Sequence, residues 1–166
     1  GSVASQAGKN IVCTETFGVS GYSVTPKQLK LIADKQYVYG VNTMVQHLYN
    51  YSLAGQGKTD CPPSFGRMMP WVSGYAEFNG YFEKLGCFIA NSKEHAPVAV
   101  VVPMESVYLD YIRTNEEAAQ KNVDAPFWET LTALRNAGVA YHFVNEKVLE
   151  KIGTVRDCYN LIHRRN

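Results

Sequence analysis

"TPKQLKLIADKQYVYGVNTMVQHLY" occupies residues 25–49, and the fold turns on how its two halves divide. Thr25 followed by Pro26 has the chemistry of a helix start: a hydroxyl that accepts from a free backbone N–H, then a ring whose fixed φ suits the first turn. Leu29, Ile32, Ala33 and Tyr37 recur at helical spacing, and Gly40 supplies the residue that most easily ends a helix in the left-handed conformation. Directly behind it, "VNTMVQHLY" mixes β-branched and apolar residues over strand length, which predicts a strand across 41–49.

Outward toward the amino terminus, "NIVCTETFG" at 10–18 reads as a second strand, with Ile11, Val12 and Cys13 buried and Glu15 at its end. A loop rich in Gly and Ser, "GVSGYSV", joins it to the helix. Strand, helix and strand in this order form a βαβ unit, so the two strands are expected to run parallel. Outward in the other direction, residues 50–70 carry three Gly and three Pro without periodicity and predict a long irregular loop at the carboxyl end of the second strand. A helix is expected from about Trp71 to Ala90, with Tyr75, Phe78, Phe82, Leu85 and Phe88 on a stripe that reads as core.

Past the polar linker "NSKEHA", "PVAVVVP" reads as a fully buried strand between prolines. Asp124-Ala125-Pro126 opens the helix "FWETLTALRNAG", Gly138 closes it, "VAYHFVN" is a strand and "EKVLEKIG" a short helix. The expected class is α/β, built from parallel βαβ units: residues 1–8 as a tag or linker, 9–92 as one body, and 97–166 as part of a Rossmann- or flavodoxin-like segment.

Composition narrows the function. With 46% apolar residues the chain has enough material for a core, and 16 basic against 15 acidic residues leave no basic run long enough to follow a phosphate backbone, which argues against nucleic acid. No stretch has the length and apolarity of a membrane span. Localisation is not legible, although a secreted or periplasmic parent fits. Cys13, Cys61, Cys87 and Cys158 lack metal-type spacing and read as plain thiols, with one disulfide as the alternative.

In parallel sheets ligands meet the carboxyl ends of strands. Glu15 ends the first strand, His47 and Tyr49 end the second, and the Gly/Pro loop leaves from the same edge, so the three side chains are expected to share one rim. The ordinary readings are a solvated acid and a hydrogen-bonded histidine. The loop lacks the glycine spacing and Lys-Ser/Thr ending of a phosphate cradle, though Lys58 and Asp60 are within reach of a polar ligand. Ser20 and Ser23 lie outside any GxSxG elbow, and Cys13 has no histidine at a spacing that argues for a nucleophile pair.

"CTETFG", then "TPKQLKLIADKQYVYGVNTMVQHLYNYS", a Pro-rich loop and "PWVSGYAEFNGYFEKLGCFIANS" together resemble the last two βα units of the catalytic barrel in large α-L-rhamnosidases of glycoside hydrolase family 106. The likeness covers roughly residues 9–92, and "APVAVVVP" is similar to the α/β module that follows that barrel. It implies a partial TIM barrel and hydrolysis of a terminal α-L-rhamnose by paired carboxylates. Glu15 falls where the family keeps the acid that activates water; Asn42, His47 and Tyr49 fall where sugar hydroxyls are contacted, and Trp71 would line the pocket. A calcium ion near the sugar is implied as a possible cofactor, with no ligand assigned beyond Glu15. The second carboxyl group that glycoside hydrolysis needs would come from an earlier strand. The chain is therefore expected to be an inert piece whose partner is the remainder of the parent enzyme. A β-galactosidase-like barrel and a non-catalytic α/β domain that binds a carbohydrate or a partner subunit are the alternatives.

Overall fold

The computed structural model describes residues 1–110, 120–157 and 160–163. It is a mixed α/β chain that divides into two compact units with the break between Lys93 and Glu94. In order, the elements are α1 (Ser2–Gln6), β1 (Cys13–Thr16), α2 (Pro26–Val38), β2 (Thr43–Gln46), α3 (Tyr75–Ala90), β3 (Val98–Val102), α4 (Met104–Asp110), α5 (Ala125–Asn136), β4 (Tyr141–Asn145), α6 (Glu146–Ile152), β5 (Gly153–Asp157) and β6 (Asn160–His163).

In the first unit β1 and β2 form a parallel pair joined through α2. The start of α2 is a capping box: Gln28 N donates to Thr25 Oγ1 at 3.4 Å, and Thr25 N donates to Gln28 Oε1 at 2.9 Å, so two otherwise free donors are satisfied reciprocally. Gly40 follows the helix at φ 91°, where a side chain would be strained. Leu29, Ala33 and Tyr37 of α2 and Phe82 of α3 are buried together with Phe17, Val24, Phe65 and Met69, and Met44, Phe78, Leu85 and Ile89 pack on them. Burial of each such aliphatic or aromatic side chain contributes about 1.5–3 kcal/mol.

Several boundaries differ from the sequence-based expectation. β1 begins at Cys13 rather than Ile11, which is 70% exposed, and Cys13 itself is exposed rather than part of the core. β2 is four residues long, because the chain leaves the ladder after His47 to meet the irregular loop. Phe88 is exposed and Ile89 takes the inward position. Residues 72–74 form a 3₁₀ turn ahead of α3. Cys13, Cys61 and Cys87 are free; Cys158 lies outside the described residues.

In the second unit β3 and β4 are parallel, with Val98 opposite Tyr141 and Val102 opposite Asn145. Of the β3 residues only Val100 is buried, so this strand is not the fully covered one that its apolar run suggests. Leu131 of α5 is buried, and Phe127 of the same helix packs on Phe143 of β4. β5 and β6 pair antiparallel, a hairpin that the sequence reading did not foresee. The sheets are short parallel pairs and one hairpin; neither a closed barrel nor a doubly wound sheet is present among the described residues.

Candidate functional site

Alternation along β1 and β2 sorts their side chains onto two faces. Thr16 and Gln46, which are register partners, turn toward the helices. Gln36 Nε2 of α2 donates to Thr16 Oγ1 at 2.9 Å, Gln46 Nε2 donates to Asn79 Oδ1 at 2.7 Å, and the Tyr75 hydroxyl donates to Gln46 Oε1. The opposite face carries Cys13, Glu15, Thr43 and Val45, and all four are exposed. Glu15 and Val45 face each other in register, one position short of the strands' carboxyl ends.

His47 N donates to Thr16 O at 2.8 Å, which extends the ladder by one step. His47 is thereby fixed directly behind β2, beside the chain that leaves β1. Its ring lies against Gly18: a Cβ at that glycine would sit 3.4 Å from His47 Cγ and 3.5 Å from Nδ1. Nδ1 is buried and has no hydrogen-bond partner.

The chain leaving β1 is strained. Phe17 and Val19 hold φ of 76° and 62°, and Cys61, which the long loop brings to the same edge, holds 46°. A β-branched residue at positive φ is a genuine outlier, and such outliers concentrate where a fold over-determines the backbone for a purpose. Phe17 is held there by its ring, buried against Phe65 and Phe78.

Four hydrogen bonds fold the 50–70 loop back onto this edge. Gly21 N donates to Pro62 O at 3.1 Å, Leu48 N to Pro63 O at 3.4 Å, Phe65 N to Leu48 O at 2.9 Å, and the Tyr22 hydroxyl to Lys58 O at 2.8 Å. Asp60 and Cys61 are thereby carried to the ends of both strands. The Cys61 thiol donates to Asp60 Oδ1 at 3.6 Å. Its pKa is raised above the ordinary thiol value, chiefly by that hydrogen bond and then by the charge of Asp60, partial burial and the charge of Glu15. Cys61 and Gly18 had no signal in the sequence beyond their residue types; only the folded loop gives them a place.

Glu15 and His47 thus lie toward the carboxyl ends of the two paired strands, with Tyr49 beyond His47 at the same end of β2, 74% exposed and its ring against Gly66. Asn42 and Trp71 are placed elsewhere. Asn42 sits at the amino end of β2, where Oδ1 accepts from Val12 N at 3.0 Å and Nδ2 donates to Asn10 O at 2.7 Å, tying the two strand starts together. Trp71 donates its indole N–H to Val24 O at 2.9 Å and packs on Phe65 and Tyr75, so its polar atom serves the core. Among the described residues no three His, Cys, Asp or Glu converge closely enough to hold a metal ion.

At the carboxyl edge of the β3–β4 pair the polar groups are used locally. Asn145 Oδ1 caps α6 through Lys147 N and Val148 N, and Glu146 Oε2 accepts from Glu105 N at 3.2 Å. His142 Nε2 lies 2.8 Å from Glu94 Oε2. Among the described residues no helix is long and apolar enough to cross a membrane. Compared with protein-family models, with curated proteins and with solved structures, the chain matches none.

Proposed function

We propose that residues 9–92 are two βα units of a glycoside hydrolase barrel that removes a terminal α-L-rhamnose or similar sugar, with Glu15 as the base that activates water. One observation carries this: α2 and α3 cover one face of the β1–β2 pair, while the other face is open and presents Glu15 near its carboxyl end. A parallel pair is ordinarily covered on both faces. In a (β/α)₈ barrel the helices take the outer face, the inner face meets the other strands, and the catalytic groups stand at the carboxyl ends. Exposed Val45 beside Glu15, and Cys13 and Thr43 below it, suit side chains that fill such an interior. His47 and Tyr49 stand at the same end for contacts to sugar hydroxyls and to the ring face.

The reaction needs a second carboxyl group to protonate the leaving oxygen, about 5–5.5 Å away for retention or about 6.5–9.5 Å for inversion. That group would come from another strand of a longer polypeptide, and the remainder of the parent enzyme is the implied partner. The test is hydrolysis of a nitrophenyl α-L-rhamnoside by the polypeptide that carries the remaining strands: Glu15→Gln should lower kcat by roughly 10²–10⁴. The chain alone should not turn over, and full activity in the Glu15→Gln polypeptide sinks the assignment.

A second function, a non-catalytic α/β domain that binds carbohydrate or a partner subunit, is favoured by the fact that Glu15 is the one acid on the open face of the described strands. Calorimetric titration of L-rhamnose with and without calcium, set beside turnover, separates the two: heat without hydrolysis by the longer polypeptide selects the binding domain.

A further inference from the structure

We propose that His47 is locked in the Nε2–H tautomer and acts as a fixed hydrogen-bond donor to a sugar oxygen at the carboxyl edge of β2. Its Nδ1 is buried without a hydrogen-bond partner, on the side of the ring near Gly18. A buried N–H with no acceptor forfeits a strong hydrogen bond to water, and orphaned donors of this kind are rare in folded proteins. A bare ring nitrogen in the same place forfeits less, since unpaired acceptors are better tolerated in folded proteins than unpaired N–H groups. The proton is therefore assigned to Nε2. That atom has no hydrogen bond among the described residues and belongs to the residue that leaves β2 at its carboxyl end.

The inference rests on the carbohydrate assignment only for the identity of the acceptor. In long-range ¹H–¹⁵N correlation spectra of the full chain at neutral pH, His47 should give the pattern of a single Nε2–H tautomer. An Nδ1–H pattern or an averaged one overturns the lock. For binding, His47→Gln keeps an N–H near the Nε2 position and should hold affinity for L-rhamnose within about threefold, whereas His47→Asn should lose about tenfold or more. Equal losses overturn the donor role. A wrong tautomer leaves the sugar assignment standing; a locked tautomer in a polypeptide that carries the remaining strands yet takes up no L-rhamnose overturns the sugar assignment and the donor role with it.

Discussion

Gln46 gives its amide N–H to Asn79 Oδ1 at 2.7 Å, which ties the last side chain of β2 to α3. Its neighbour Val45, the register partner of Glu15, is left on the exposed face with that acid.

The Tyr75 hydroxyl completes this arrangement by donating to the other amide atom of Gln46. Tyr75→Phe leaves Gln46 Oε1 without a donor in a half-buried layer, so stability should fall by about 1–2 kcal/mol in urea titration. Burial also raises the Tyr75 pKa above 10.0, which means the folded state holds the phenol proton more tightly than the unfolded chain does. The resulting stability is present below pH 10 and is lost as pH rises beyond it. The Tyr75→Phe chain should show a shallower alkaline loss; an unchanged slope would place the phenol in solvent.

Cys61 reports the distance between the long loop and Glu15. Its thiol is held protonated chiefly by the bond to Asp60 and least by the charge of Glu15. At pH 8, iodoacetamide should therefore modify Cys61 more slowly than exposed Cys13 or Cys87. Asp60→Asn should raise the Cys61 rate several-fold, because the thiolate fraction rises as the pKa falls toward 9.0. Glu15→Gln should raise it less. If Glu15→Gln has the larger effect, the loop lies closer to β1 than described.

Gly86 and Gly80 lie on the same helix and should respond in opposite ways. A methyl on Gly86 would overlap the carbonyl oxygen of Asn42, backbone that cannot step aside, while nothing lies within 4 Å of one built on Gly80. Gly86→Ala should cost about 1–3 kcal/mol. Gly80→Ala should stabilise by about 0.5–1 kcal/mol through helix propensity. Thermal unfolding of the two variants checks both signs.

Trp71 and Tyr49 should separate stability from binding. Trp71→Phe loses the bond to Val24 O and part of the packing on Phe65, and should lower stability by about 1–2 kcal/mol. Tyr49→Ala, at an exposed position, should change stability by no more than about 0.5 kcal/mol. A destabilised Tyr49→Ala chain would make Tyr49 a packing residue, contrary to its place at the rim.

What the sequence determined by itself is local. Thr25, Pro26 and Gln28 set the start of α2, Gly40 marks its end, and the helix between two strand-like runs dictated a parallel pair, because caps and periodicity act over a few residues. That Glu15 lies at the carboxyl edge was equally legible, since it follows from where β1 stops. Tertiary structure alone decided the rest. Asn42 and Trp71 look like ligand residues in the chain, yet the first ties two strand starts together and the second serves a loop carbonyl, because each found its partner some 30 or more positions away. The same holds for Asp60 and Cys61, carried to the edge by bonds from Gly21 and Leu48 that no periodicity encodes. Long-range hydrogen bonds and close backbone approach, as at Gly86, depend on which distant segments meet in space, and spacing along a single chain carries no record of that.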